Sequence, residues 1–154
     1  MQGRPAQHEG GYGLRICVAE HAGFCFGVKR AVQAVMRCLD GAEPVYTFGP
    51  IIHNPQIVAS FEQKGVRVVH TPEEISGGTV VIRAHGIGEA EHTEILARAS
   101  RVVDATCPLV QRVHAIVRAQ SKKGAQVVIV GEREHPEVVG TRGWAAQNAA
   151  GAAE

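Results

Sequence analysis

Residues 79–107, TVVIRAHGIGEAEHTEILARASRVVDATC, carry the pattern that decides the fold. The run TVVIR (79–83) is a continuous apolar, β-branched strand with no polar alternation. Residues 89–99 have helical spacing, and RVVD (101–104) is a second strand of the same kind. Strands without alternation are buried on both faces, as strands of parallel sheets are. Strand, helix, strand in this order is the crossover unit of a parallel α/β sheet.

The same alternation continues in both directions. LRICVA (14–19), VYTF (45–48), VRVVH (66–70) and QVVIVG (126–131) read as further strands. Residues 28–39 place Val28, Ala31, Val32, Val35 and Leu39 on one helical face, with Lys29, Arg30, Gln33 and Arg37 on the other. Asn54-Pro55 opens a helix as N-cap and first-turn proline, and Gly65 closes it. Thr71-Pro72-Glu73-Glu74 has the capping-box form for one short turn. Residues 108–123 form a long helix with Leu109, Val113, Ile116 and Val117 inward. The fold class is therefore α/β, with mainly parallel sheets and crossover helices. Strand order does not follow from pattern.

The reactive residues fall at one kind of place. Cys25 follows the first strand, His53 the second, His85 follows TVVIR, Cys107 follows RVVD, and His135 follows QVVIVG. Each lies just beyond the carboxyl end of a strand, the edge where open parallel sheets bind ligands. Cys107 and His135 directly precede a proline, and His53 precedes Asn54-Pro55, so three of the five meet a helix start. The first helical turn offers free N–H groups that stabilise a thiolate or seat a phosphate. Cys25 sits between Gly23 and Gly27 ahead of its own helix, where the backbone can approach an anionic or metallic ligand. Gly49-x-x-x-His53 and Gly131-x-x-x-His135 read as two copies of one strand–loop–helix unit.

Composition bounds the chemistry. The 154 residues carry a formal charge of +1, which argues against an electrostatic footprint for nucleic acid or membrane. No apolar run approaches a bilayer span. The segment 1–13 has no apolar signal core and is expected to be a flexible tail, with the cytoplasm as the default compartment. Four cysteines without CxxC pairing favour free thiols or metal ligands over a disulfide framework. Cys17, within the first strand, and Cys38, at a helix end, are expected to be packing residues, as is His114. His8 and His92 are expected to face solvent, His70 ends a strand, and His21 belongs to a loop.

Two cysteines 82 positions apart do not make a zinc ribbon. Thiolates at helix starts suit an iron–sulfur cluster. Histidines in the same setting suit a diphosphate, and Glu137, two residues after His135, can supply a proton there. A zinc-dependent hydrolase using His53, His85 and His135, and a non-catalytic diphosphate-binding module, are the alternatives from other classes.

The motifs AGFCFGVKRAV (22–32), FGPIIHNPQIV (48–58), VIRAHGIG (81–88), VDATCPLVQRVH (103–114) and GEREHPEVVGTRGW (131–144) together resemble the 4-hydroxy-3-methylbut-2-enyl diphosphate reductase family. The resemblance implies three pseudo-symmetric α/β domains around a [4Fe–4S] cluster, each giving one cysteine, with the fourth iron open to substrate. It implies Cys25 and Cys107 as two cluster ligands. It also implies His53, His85 and His135 as diphosphate-binding residues, and Glu137 as the proton-delivering acid. The implied reaction is reductive dehydroxylation to isopentenyl and dimethylallyl diphosphate in non-mevalonate isoprenoid biosynthesis, with ferredoxin or flavodoxin as electron donor. Family members are much longer, and their third cluster cysteine falls beyond this sequence. The expected division is a tail at 1–13, a first α/β domain at 14–107, an incomplete second domain at 108–144 and an alanine-rich tail at 145–154. As an isolated piece, such a chain is expected to be an inactive remnant.

Overall fold

The computed structural model describes residues 17–145. The expected tail at 1–13, with His8, the first three residues of the expected strand at 14–19, and residues 146–154 lie outside the described residues. In chain order the elements are α1 (Phe26–Cys38), β1 (Val45–Phe48), α2 (Pro55–Glu62), β2 (Arg67–Val69), a 3-10 turn (Pro72–Glu74), β3 (Thr79–Ile82), α3 (Glu89–Arg98), β4 (Arg101–Asp104), α4 (Pro108–Lys122) and α5 (Pro136–Arg142). Among the described residues no helix is long and apolar enough to cross a membrane.

The four strands form one all-parallel sheet in the order β2-β1-β3-β4. Pairing runs from Val45 opposite Thr79 to Phe48 opposite Ile82, and from Thr79 opposite Arg101 to Ile82 opposite Asp104. Both faces are covered, as the unbroken apolar strands require. On one face Val45 and Val81 pack with Ala31, Ala34 and Val35 of α1 and Phe61 of α2. On the other, Tyr46, Phe48, Val80 and Ile82 pack with Ile95 of α3. Ile95 is fully buried, a contribution of roughly 1.5–3 kcal/mol for a side chain of its size.

The local signals work as expected. Asn54 Oδ1 accepts the Ile57 N–H at 3.1 Å. Glu74 accepts from the N–H groups of His70 and Thr71 at 2.7 and 2.8 Å. Gly65 turns the chain out of α2 with φ +90°.

Three expectations are corrected. Residues 17–19 form no strand; Cys17 and Val18 are exposed, so Cys17 is not a packing residue. Residues 126–131 also form no strand, and Val128 and Val130 point outward. An extended segment needs a neighbouring edge for its N–H and C=O groups, and neither segment pairs with the four-stranded sheet. Finally, α4 buries Val110, His114 and Val117, while Leu109, Val113 and Ile116 are exposed. The hydrophobic stripe read from sequence is thus mostly the outer one. The inner one is chosen by shape: the His114 ring occupies space where Gly86, at φ +73°, has no Cβ.

Candidate functional site at the carboxyl rim of the sheet

Strand order decides where the site opens. The connection from β1 runs through α2 to β2 on one side, and the connection from β3 runs through α3 to β4 on the other. β1 and β3 are neighbours, so their outgoing loops diverge at a topological switch point, where open α/β sheets have their crevice. His53 is on the first of these loops and His85 on the second.

Backbone hydrogen bonds continue the ladder beyond the strands and hold the loops in register. The Ala84 N–H donates to the Ile51 carbonyl at 3.1 Å, and the Cys107 N–H donates to the Ala84 carbonyl at 2.9 Å. The row Ile51–Ala84–Cys107 sets His53, His85 and Cys107 on adjoining loops. The structure brings the three rim imidazoles together. Ring centroids are 4.2 Å apart for His53–His85, 5.6 Å for His53–His135 and 5.9 Å for His85–His135. His135 joins them although no strand precedes it. It caps α5 itself, its Nδ1 accepting the Glu137 N–H at 3.3 Å, which puts the ring proton on Nε2. Glu137 lies exposed in the first turn of α5.

His85 and His135 are half-buried and His53 is exposed, and the His85 Nδ1 is buried without a partner. Burial, then the charges of His53, Arg83 and His135, lowers its pKa to about 4, so its ring is neutral at pH 7. A neutral imidazole in such a place can still donate one N–H to an anion.

The two cysteines cap helices. Cys25 is the N-cap of α1 and Cys107 the N-cap of α4, neither making a side-chain capping bond. Cys25 is exposed and Cys107 half-buried. Gly27, in the first turn of α1, lies directly against Cys107: a Cβ there would stand 2.8 Å from its Sγ. Both helices start without an acidic residue in the first turn, leaving their N–H groups for an anionic ligand. Among the described residues no three His, Cys, Asp or Glu side chains are arranged to hold one metal ion.

The remaining cysteine and histidines sort differently. Cys38 is buried, as expected, and burial raises its pKa. His114 is buried packing, also as expected, and burial lowers its pKa. His21 is an exposed turn residue. His92 is not simply solvent-facing; its ring is half-buried, 6.3 Å from that of Trp144. A cavity of about 520 Å³ between α4 and the β3–β4 side of the sheet includes His92, Arg118 and Trp144. Of its polar groups, Arg118 pairs with Glu89, Gln111 donates to Asp104 and Trp144 Nε1 donates to the Ile87 carbonyl, while His114 Nε2 and Arg118 Nε are buried without a partner.

Two arginines hold the rim, and sequence pattern had not singled them out. Arg30 of α1 donates to the carbonyls of Thr106 (2.8 Å) and Asp104 (3.2 Å), tying the helix headed by Cys25 to the loop carrying Cys107. Arg83, just past β3, donates from Nε to the Gly86 carbonyl at 3.3 Å. Both sit at positions where a solvent-facing arginine is unremarkable, so no local signal marks them.

A doubly covered parallel sheet with imidazoles gathered at its switch point, beside two cysteine-headed helices, defines an α/β fold whose candidate site lies at the carboxyl rim. Residues 16–152 match the family described as LytB protein, and the chain belongs to that family. It is similar to the 4-hydroxy-3-methylbut-2-enyl diphosphate reductase of Caldanaerobacter subterraneus subsp. tengcongensis, with 44% identity over 85% of this chain and 47% of the relative. The enzyme of the same name from Geobacter sp. (strain M21) is 47% identical over 86% of this chain and 47% of its own length. Among solved structures, an (E)-4-hydroxy-3-methyl-but-2-enyl diphosphate reductase described as the terminal enzyme of the non-mevalonate pathway matches with TM-score 0.71 and 48% identity. That match covers 84% of this chain and 46% of the other. The Plasmodium falciparum reductase matches with TM-score 0.74 and 30% identity, over 82% and 40%. The chain spans about half the length of the curated relatives it matches.

Proposed function

We propose that this chain forms the diphosphate-binding rim, and supplies two cluster cysteines, of a 4-hydroxy-3-methylbut-2-enyl diphosphate reductase. The meeting of His53, His85 and His135 within 6 Å of one another carries this reading. A diphosphate needs several N–H donors from different directions. Three loops supply them here: His85 as a neutral donor, His135 through Nε2–H, and His53 from the exposed side.

Cys25 and Cys107 suit two positions of a [4Fe–4S] cluster. Both thiols are free, both head helices, and the missing Cβ of Gly27 leaves room at the Cys107 sulfur. When bound, the cluster supplies the electrons, and the Lewis acidity, for removing an allylic hydroxyl. The chain's own residues do the rest. The imidazoles bind and orient the diphosphate, and Glu137 gives one of the two protons to the departing hydroxyl oxygen so that it leaves as water; the other proton ends on the allylic carbon skeleton of the product. The electron donor in this reading is of ferredoxin or flavodoxin type, and the setting is the cytoplasm. The division into a first domain at 14–107 and the beginning of a second at 108–144 is part of the same proposal.

Titration with inorganic pyrophosphate and with the allylic diphosphate, followed by histidine ring resonances, tests the binding role. His53, His85 and His135 are expected to shift together while His21 and His70 stay. Unmoved resonances of the three rim histidines at saturating ligand would overturn it.

A further inference from the structure

Arg83 sits where the two central rim loops meet, and four observations bear on what it does there. First, its Nε–H donates to the Gly86 carbonyl, closing the His85 loop back on the end of β3. Second, its side chain crosses to the His53 loop and lies over Gly49. A Cβ on Gly49 would meet Arg83 Nη1 at 2.4 Å, and Cδ and Cζ at 3.3 and 3.4 Å. Gly49 also has φ +70°, so its turn and its missing side chain serve the same packing. Third, the guanidinium is half-buried, and its ionised form has Glu91 of α3 as the opposing charge. Glu91 is itself held in place, accepting the Gly88 N–H at 3.0 Å. Fourth, the charges near His85 are Arg83, His53 and His135, and of these only a guanidinium is charged at every physiological pH.

We propose that Arg83 is a positioning residue of the diphosphate rim. Seated in the space left by Gly49, it clamps the His53 loop to the His85 loop and adds a permanent positive charge beside the imidazoles. The clamp keeps the two rings together before ligand arrives. The charge favours a multiply charged phosphate over a neutral ligand. The assignment rests on reading the rim as a diphosphate site; the clamp itself does not.

The test uses the full chain with inorganic pyrophosphate as probe, and compares Arg83→Met, Arg83→Lys and Gly49→Ala. Three readouts are followed: the ring-to-ring nuclear Overhauser contact between His53 and His85, the titration midpoint of His85, and the pyrophosphate dissociation constant. Arg83→Met removes clamp and charge. It is expected to abolish the ring contact, to move the His85 midpoint upward because a repelling positive charge is gone, and to weaken pyrophosphate about tenfold or more. Arg83→Lys keeps the charge but lacks Nε and the planar fork. It is expected to hold the His85 midpoint near the wild-type value while losing the ring contact. Gly49→Ala evicts the guanidinium from its seat and should lose the ring contact with Arg83 present, which a merely local stability effect at residue 83 would not produce. If Arg83→Met keeps the ring contact and its dissociation constant stays within about twofold of wild type, the proposal is wrong. If the wild-type chain binds no pyrophosphate, the diphosphate reading fails. The clamp is still decided by the ring contact in Gly49→Ala and Arg83→Lys: retained in both, it is refuted.

Discussion

Gly27 and Cys107 are fitted to each other: the first turn of α1 has no Cβ at the point where one would stand 2.8 Å from the Cys107 sulfur and 3.2 Å from its Cβ. The glycine following Cys25 by two positions is there for the other cysteine. α1 and α4 approach through this contact, and Arg30 secures it from the next turn of α1.

Gly27→Ala should therefore destabilise the chain, although alanine favours a helix over glycine by up to about 1 kcal/mol. Overpacking of this kind costs about 1–3 kcal/mol. Chemical denaturation measures it. Adding Cys107→Ala should recover part of the loss, because it removes the sulfur but not the Cβ; strict additivity of the two changes would dismiss the contact.

The cysteine roles can be separated in a whole enzyme by placing residues 17–145 in the matching region of the Geobacter relative. Cys25→Ser and Cys107→Ser should each cost the cluster, since a hydroxyl is a poor replacement for a soft thiolate. Cys17→Ser should be silent, and Cys38→Ser should cost packing only, of order 1–2 kcal/mol. Iron, sulfide and visible absorbance after anaerobic reconstitution decide it. Equal losses at all four positions would count against the assignment.

In the same chimera, Glu137→Gln should lower kcat by about 10²-fold or more while leaving KM nearly unchanged, as expected for a proton donor that matters mainly in the transition state. Steady-state kinetics with a reduced ferredoxin-type donor would show it. Normal turnover would remove Glu137 from the mechanism.

His85 makes stability pH-dependent. Its folded pKa, about 4, lies below the ordinary histidine value of 6.5, so between those values the unfolded chain binds more protons. Its contribution is fully present above pH 6.5 and is lost as pH falls through that window towards 4. His114, also lowered by burial, acts in the same direction. Denaturation midpoints measured from pH 7 to pH 4 should fall less in His85→Gln than in wild type. Parallel curves would contradict the assignment.

The outer face of α4 predicts association. Leu109, Val113 and Ile116 are 63%, 45% and 52% exposed and line up at successive helical turns. Exposed apolar patches of this kind promote self-association. The isolated chain should elute as an oligomer in light-scattering chromatography, hold no stable four-iron cluster, since only Cys25 and Cys107 are proposed as ligands, and show no reductase activity. Leu109→Lys with Ile116→Lys should return it towards monomer. A monomeric wild-type chain with four irons and turnover would contradict all three expectations.

Much of this was legible in the chain because the signals are local. Unbroken β-branched runs mark β1, β3 and β4, Asn54-Pro55 marks the start of α2, and Thr71 to Glu74 mark the 3-10 turn. The placement of His53 and His85 on one rim followed from the same signals, whereas His135 reaches that rim without the strand expected before it. What was not legible depends on neighbours. The segments at 17–19 and 126–131 have strand composition, but β propensity describes a residue's fit to a sheet it must first have beside it. The inward face of α4 was misread because hydrophobicity ranks Leu109 above His114, whereas the cleft beside Gly86 admits the imidazole. Arg30 and Arg83 escaped notice because their carbonyl partners, and the empty space at Gly49, lie on other loops.

Ala84 gives its N–H to Ile51 and its carbonyl to Cys107, so the row that aligns the rim is written in main-chain atoms. Main-chain bonds are indifferent to spelling and intolerant of spacing. Over evolutionary drift, substitutions around the rim can accumulate while the loops stay aligned. A one-residue insertion or deletion between Ile82 and Ala84 shifts both bonds at once and should turn the following imidazole away from its neighbours. The length of these loops, more than their letters, is what descent has to preserve.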